Sequence, residues 1–129
     1  MRSTMIYGIG TDIAEVARVE EKIKKGKGFR ELVFTPHEIA YCEQQAAPYE
    51  HYAARFAAKE ALLKALGTGW GNGGVHFNEI EVRNNAAGKP ELQLIGNAAE
   101  RYTQLNIQQI LVSLSHVKTT AVAMVIIEI

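Results

Sequence analysis

The pattern of hydrophobic and polar positions divides this chain into strand-like and helix-like segments. Strands are expected where apolar residues alternate or form short runs, and helices where they recur at helical spacing. The pattern predicts strands at 5–10, 77–82, 91–94, 110–115 and 121–127, and helices at 13–25, 36–45, 49–66 and 97–105. The four later strands form two successive pairs with short turns, which predicts two hairpins, the second central in a sheet. We therefore expect an α+β fold with a mainly antiparallel sheet and helices packed on one side.

Several helix ends carry recognisable capping residues. Thr35 with Glu38 has the spacing of a capping box, and Asn97 with Glu100 has the same spacing before the last helix. Gly67 follows the longest helix at the position where a left-handed residue usually ends a helix. These residues predict where three of the helices begin or end.

The first strand is followed by an acidic residue with two interpretations. Gly8 and Gly10 indicate that another backbone approaches one side of the strand. Asp12 stands three residues before Glu15, which is the spacing of an N-cap that starts the helix at 13–25. Asp12 also lies just past the predicted strand end, where α/β proteins gather ligands. The residues alone leave both interpretations open.

The predicted helix at 49–66 is rich in Ala and Leu and mostly apolar, so we expect it to be largely buried. Its charges fall on two stripes, with Glu60 and Lys64 on one and Arg55 and Lys59 on the other. Buried charges must be paired or used, because burying an isolated charge is costly. The simplest interpretation is an i,i+4 salt bridge between Glu60 and Lys64.

Length, composition and charge limit the kinds of protein that this chain can be. The 129 residues suit one domain spanning 1–129, and Lys+Arg balances Asp+Glu at 14 each, so charge indicates no nucleic-acid or membrane partner. No apolar run approaches the ~20 residues of a spanning helix, and residues 1–4 lack the apolar core of a signal peptide. The single cysteine, Cys42, excludes an internal disulfide and is expected to be a buried small hydrophobe. We expect a cytoplasmic protein.

One locally basic face stands out in this neutral chain. Arg18, Lys22 and Lys25 lie on the polar side of the predicted first helix. Such a face is usually solvated, and the alternative is a dock for an acidic partner. The glycine-rich segment 69–74 is likewise either a plain loop or a turn whose amides meet a phosphate. A lone histidine such as His116, at the turn of the second hairpin, is usually a surface residue.

Six short motifs stand in a fixed order along the chain: 8–13, Phe34 and Thr35 with Glu38, 55–61 with Lys64, 67–69, 88–90 and 113–116. As a set in this order, they resemble the small bacterial holo-[acyl-carrier-protein] synthase family of 4′-phosphopantetheinyl transferases. They cover the chain from about Met5 to its end, so residues 1–4 precede the usual start of the family. The resemblance implies the 4′-phosphopantetheinyl transferase fold.

The resemblance also implies an activity in fatty acid biosynthesis. These enzymes transfer the 4′-phosphopantetheine arm of coenzyme A to a serine of apo-acyl carrier protein, and release adenosine 3′,5′-bisphosphate. The family's metal-binding carboxylates correspond to Asp12 and Glu60, and its catalytic lysine corresponds to Lys64. Mg²⁺ is the implied metal, because hard oxygen ligands and substrate phosphates suit it.

Other roles implied by the resemblance concern the two substrates and the assembly. The implied contacts with coenzyme A are Arg55, Lys59, Gly67, Thr68, Gly69 and His116. The implied dock for the acidic carrier protein is Arg18, Lys22 and Lys25, although Val33 and segment 44–50 lack basic residues that relatives often carry there. The family forms homotrimers with shared active sites. Two alternatives on the same fold are a non-catalytic carrier-binding module and a simple nucleotide-binding domain.

Overall fold

The computed structural model describes residues 3–68 and 74–129. The strands are β1 (Ile6–Glu15), β2 (Ile80–Asn84), β3 (Pro90–Leu94), β4 (Gln109–His116) and β5 (Thr120–Glu128). The helices are α1 (Val16–Lys24), α2 (Phe29–Val33), α3 (Pro36–Glu43), α4 (Pro48–Leu66) and α5 (Gly96–Arg101). None of these helices is both long enough and apolar enough to cross a bilayer.

The strands form two antiparallel sheets. One has three strands in the order β1-β5-β4, and the other is the β2-β3 hairpin. Both predicted hairpins are confirmed, and the apolar strand β5 is central as expected. In the part of the chain that the structure describes, β4 pairs with β5 only, so it lies at an edge of its sheet rather than in the centre. The α+β arrangement of antiparallel strands and helices is confirmed.

Helix α4 lies directly against β1 and β5, and glycine makes this close approach possible. A Cβ atom at Gly8 would overlap the carbonyl oxygen of Ala65, and one at Gly10 would overlap that of Ala61. The prediction that a backbone segment approaches this strand is therefore confirmed. Asp12 follows on the same side of β1, since side chains alternate along a strand. The glycines thus bring α4 close to the strand that carries Asp12.

The first strand is longer than the sequence pattern predicts. Pairing with β5 continues through Asp12, opposite Ala123, to Glu15, opposite Thr120. The interpretation of Asp12 as an N-cap, and as a residue beyond the strand end, is therefore wrong. Helix α1 begins at Val16 without a side-chain cap. Local spacing could not reveal this, because the partner strand lies more than a hundred residues away.

Two other helix ends follow the sequence closely. The Thr35 hydroxyl accepts from the Glu38 amide at 3.3 Å, and the Glu38 carboxylate accepts from the Thr35 amide at 2.9 Å. Gly67 is left-handed, with φ 79°. Its amide donates to the carbonyl of Lys64, and the next amide donates to that of Leu63, which is a Schellman ending. Both predicted caps are confirmed.

The segment around α5 differs from the prediction. Residues 77–79 form a 3₁₀ turn rather than the start of a strand, and α5 ends before a second such turn at 103–105. Asn97 makes no cap, since the residue before the helix is Ile95. The carboxylate of Glu79 accepts from the amide of Ala98 instead, at 3.1 Å. A group distant in sequence has replaced the local cap.

Cys42 lies in α3 and is fully buried. Burial raises the pKa of its thiol to about 12. It therefore remains a protonated thiol at neutral pH, as expected for a small hydrophobic residue of the core.

Candidate active site

Asp12 on β1 and Lys64 on α4 form an ion pair. The Nζ atom of Lys64 lies 3.0 Å from Oδ1 of Asp12 and 3.0 Å from the carbonyl oxygen of Thr11. The predicted salt bridge between Glu60 and Lys64 is absent from the described part of the chain. The expectation of an i,i+4 pair is therefore wrong, because the strand offers Lys64 a carboxylate and a carbonyl together.

Glu60 completes the group one helical turn before Lys64. Burial and the negative charge of Asp12 raise the pKa of Glu60, while the charges of Lys64 and Lys22 act in the opposite direction. The two carboxylates are thus close enough to interact, although one is on a strand and the other on a helix, 48 positions apart in the sequence. The structure brings Asp12, Glu60 and Lys64 to one place.

This donor set suits Mg²⁺. Within residues 3–68 and 74–129, no group of three or more His, Cys, Asp and Glu side chains could hold a metal. Two carboxylates alone are a poor zinc site, which takes three or four protein ligands. Mg²⁺ is commonly held by one or two carboxylates, with waters and substrate phosphates completing its shell. Asp12 and Glu60 therefore fit the metal that the family resemblance implies, since two protein ligands leave positions for water and substrate.

A groove opens beside Glu60. Its larger part is a cavity of about 480 Å³, lined by Glu60, Phe56, Phe29, Lys22 and Arg18 among others. A second cavity of about 300 Å³ shares the first four of these residues. We call these two adjoining cavities the Phe29–Phe56 groove. Phe29 and Phe56 form its aromatic wall, and Arg18 and Lys22 form its basic rim.

Two of the three predicted docking residues border this groove. Arg18 and Lys22 line it, and the ammonium of Lys22 lies 5.6 Å from the centre of the Phe29 ring. Lys25 follows the end of α1 and pairs with Glu21 at 3.2 Å, with both side chains exposed. The sequence missed the aromatic wall, although Phe56 stands on the same helical stripe as Glu60.

Lys59 lies in the core and not in a site. Its side chain is fully buried, and Nζ donates to Glu38 at 2.6 Å and to the carbonyls of Val33 and Phe77 at 2.7 and 3.0 Å. Burial lowers its pKa, and the Glu38 carboxylate opposes that shift. All three N–H groups are engaged, so the expectation that Lys59 contacts a nucleotide phosphate is wrong for this conformation. The capping-box spacing predicts the first role of Glu38, as a cap, but not its second role as the partner of Lys59.

Arg55 on α4 and His116 at the end of β4 lie in one corner with three other residues. The Arg55 guanidinium stacks 4.1 Å from the Tyr41 ring centre, and the residue is 3% exposed. Its Nε is buried without a hydrogen-bond partner among the described residues. His116 Nδ1 lies 2.9 Å from the Glu50 carboxylate, and the His116 ring is 5.0 Å from that of His51.

This corner favours an anion. Burial, followed by the positive charges of His116 and Arg55, lowers the pKa of His51. An unpaired buried N–H costs free energy until it finds an acceptor, so the Arg55 guanidinium would gain from a phosphate oxygen. The sequence missed His51, which stands four residues before Arg55 and therefore shares its helical stripe.

The remaining predicted contacts follow α4. Gly67 and Thr68 form its Schellman ending, as described above, so they lie one turn beyond Lys64. Gly69 and the predicted loop positions 70–73 lie outside the described residues.

Comparisons with known proteins identify the family of this chain. The family model of the 4′-phosphopantetheinyl transferase superfamily matches residues 8–124. A protein named holo-[acyl-carrier-protein] synthase, from Geotalea daltonii, is 44% identical over 125 residues, which are 96% of this chain and 99% of the relative.

Solved structures show the same similarity. The crystal structure of holo-[acyl-carrier-protein] synthase from Neisseria meningitidis has a TM-score of 0.85 and 39% identity, and covers 95% of this chain and 98% of its own. The synthase from Bacillus anthracis, solved in complex with CoA (3′,5′-ADP), has a TM-score of 0.78 and 40% identity, with 96% and 97% covered. The chain therefore belongs to the 4′-phosphopantetheinyl transferase superfamily, and within it to the holo-[acyl-carrier-protein] synthases, a family of enzymes.

Proposed function

We propose that this enzyme transfers the 4′-phosphopantetheine arm of coenzyme A to a serine of apo-acyl carrier protein, with Mg²⁺ as its metal. The observation that carries the proposal is the convergence of Asp12 and Glu60, with Lys64 beside them. Two carboxylates repel phosphates unless a cation lies between, so this arrangement favours a metal-dependent phosphate reaction over plain nucleotide binding. The relatives named for this activity support the same reaction.

In the proposed reaction, the serine oxygen attacks the β-phosphorus of coenzyme A. A new P–O bond forms, the bond from that phosphorus to the bridging oxygen breaks, and adenosine 3′,5′-bisphosphate leaves. The serine proton passes to a base, for which we propose a water held by Glu60. Mg²⁺ would neutralise charge on the transferred phosphoryl group and orient it.

Residues of this chain would bind the metal and neutralise the charge of the leaving group. Asp12 and Glu60 would hold the metal, one from the strand and one from the helix. Lys64 would neutralise charge on the departing α-phosphate. Its side chain is 55% exposed and carries a flexible stem, so it can reach a substrate in the groove.

The corner of Arg55 and His116 is the proposed contact with the nucleotide phosphates. The unpaired Nε of Arg55 and the imidazole of His116 are donors of the right kind. Gly67, Thr68 and Gly69 follow Lys64 along the chain and would lie along the coenzyme. Lys59 has no part in this proposal.

The basic rim of the Phe29–Phe56 groove is the proposed dock for the acidic carrier protein. Arg18 and Lys22 place positive charge next to Glu60, so a carrier bound there would present its serine to the metal site. Lys25 would extend the same positive field to the end of α1. Charge of this kind speeds encounter more than it strengthens the final complex.

A homotrimer with shared active sites is the proposed assembly. One face of the β1-β5-β4 sheet carries exposed apolar side chains in cross-strand register, with Ile13 opposite Val122 and Met124 opposite Thr11. Ile9 continues this face, 61% exposed. Contiguous apolar surface on a sheet commonly marks an interface between proteins. We place the enzyme in the cytoplasm and in fatty acid biosynthesis, the setting that the resemblance implies.

The test is direct. The protein is incubated with coenzyme A, Mg²⁺ and apo-acyl carrier protein, and the carrier is examined by mass spectrometry for one added phosphopantetheine arm. A carrier whose acceptor serine is replaced by alanine and a reaction with EDTA are the controls. A carrier that binds but is never modified would favour the non-catalytic module and contradict the proposed transfer.

A further inference from the structure

Lys64 is held at a position that suggests a second role. Its ammonium lies 3.0 Å from both Asp12 Oδ1 and the Thr11 carbonyl, so two of its three N–H groups bond to β1. The Asp12 side chain is only 16% exposed, whereas that of Lys64 is 55% exposed. The Asp12 carboxylate is thus mostly buried, whereas the Lys64 side chain is accessible to solvent and can move away from it.

The charge balance of the site explains why this contact forms. Asp12 and Glu60 would place two negative charges close together in a partly buried setting, which is unfavourable without a cation. The ammonium supplies one positive charge from the same helix as Glu60, and it contacts one of the oxygens that a metal would need. Lys64 therefore occupies part of the coordination space of Asp12.

We propose that Lys64 is an exchangeable cation for this site: it pairs with Asp12 in the unloaded enzyme and yields that oxygen to a divalent cation. This inference rests on the proposed metal-dependent function. An ammonium and a divalent cation on the same carboxylate repel each other, so metal binding expels the ammonium. The expelled ammonium is then available to a phosphate of the coenzyme, and metal and coenzyme favour each other's binding.

The first experiment measures Mn²⁺ binding to the full chain without coenzyme A, by electron paramagnetic resonance. The variant Lys64→Met keeps most of the side-chain volume and removes the charge. It is expected to bind Mn²⁺ about two- to fivefold more tightly than the wild type, the range that exposed lysine–carboxylate pairs contribute. The matched control is Lys24→Met, which removes the same charge from the exposed pair with Glu20 and should leave Mn²⁺ affinity unchanged.

A second measurement separates exchange from simple repulsion. Reductive methylation with ¹³C-formaldehyde labels lysines and keeps their charge, and the Lys64 signal is identified by its loss in Lys64→Met. In the wild type the chemical shift of this NMR signal should change as Mg²⁺ is added, and the midpoint of the change should equal the midpoint of metal binding. Asp12→Asn removes the ion pair together with a metal ligand, so in this variant the signal should lie, before any Mg²⁺ is added, at the position that the wild-type signal reaches with Mg²⁺.

The outcomes are distinct. Equal or weaker Mn²⁺ binding by Lys64→Met, or a Lys64 signal that ignores Mg²⁺ while metal binds, overturns the exchange and leaves the proposed transfer untouched. Absence of Mn²⁺ binding in every variant overturns the exchange and the metal-dependent function together.

Discussion

Lys64 on α4 pairs with Asp12 on β1 and not with Glu60, its neighbour one helical turn away. The helix therefore presents both a carboxylate and an ammonium to the same strand residue. The contact depends on close packing of α4 against β1, which Gly8 and Gly10 permit.

Glu60→Gln should abolish most of the transfer activity. The amide keeps the shape of the side chain but loses the negative charge that holds the metal, so we expect kcat/KM to fall about 100-fold or more at ordinary Mg²⁺. The measurement is the rate of holo-carrier formation. Glu100→Gln, on the exposed face of α5, is the matched control and should be normal. Near-normal transfer by Glu60→Gln would remove Glu60 from the metal site.

The same substitution should stabilise the metal-free protein at neutral pH. Burial and the Asp12 charge raise the pKa of Glu60, which means that its ionised form is less favourable in the folded protein than in the unfolded chain. The protein therefore keeps its full stability below the ordinary pKa of a glutamate, and loses part of it as pH rises through the raised pKa of the folded state. Glu60→Gln is therefore expected to raise Tm at neutral pH and to change it little near about pH 4. Thermal unfolding at the two pH values, in EDTA, makes the comparison. A lower Tm for the variant at neutral pH would contradict the sign.

Arg18→Glu should weaken recognition of the carrier protein selectively. Reversing a charge on the rim of the Phe29–Phe56 groove should raise the KM for carrier and leave the KM for coenzyme A unchanged, with the difference shrinking at high salt. Steady-state kinetics at two ionic strengths test this. Lys24→Glu is the control, because it reverses a charge on another side of the same helix. If salt does not affect carrier binding by the wild type, the electrostatic account fails.

Lys59→Met should act on stability rather than on substrate binding. Removing the ammonium leaves the Glu38 carboxylate buried without its cation, which costs about 3–5 kcal/mol in free energy of unfolding. The pair Lys59→Met/Glu38→Gln should be less destabilised than the sum of its parts. Urea unfolding gives these values, and the KM for coenzyme A of the folded fraction should stay near that of the wild type. A large rise in the KM for coenzyme A would instead indicate that Lys59 contacts a phosphate of the coenzyme.

Met124→Asp should dissociate the proposed trimer. A carboxylate in the centre of the apolar face of the β1-β5-β4 sheet would lie buried and unpaired at an interface. Light scattering after size-exclusion chromatography should show three chains for the wild type and one for the variant. Val117→Asp is the control, since Val117 is exposed in the turn beyond that face. A wild type with the mass of one chain would disprove the assembly.

Local sequence determined a large part of the fold. The Thr35–Glu38 capping box, the ending at Gly67 and the apolar strand β5 were all predictable, because each depends on residues a few positions apart. The family of the chain could be inferred for a similar reason, since its motifs are short segments in a fixed order. The choice of Asp12, Glu60 and Lys64 as candidate site residues came from the same segments.

Tertiary structure decided what those side chains do. Asp12 resembles an N-cap locally, yet β5 pairs with it and keeps it in a strand. Lys59 and Lys64 each stand four residues after another charged residue of α4, but Lys59 pairs with Glu38 in the core and Lys64 pairs with Asp12 at the surface. Which charges pair depends on their distance in space and on their burial, and the spacing of residues along one helix determines neither. Sequence alone named the charged residues, and the packing of α4 against β1 and α3 decided which became core and which became site.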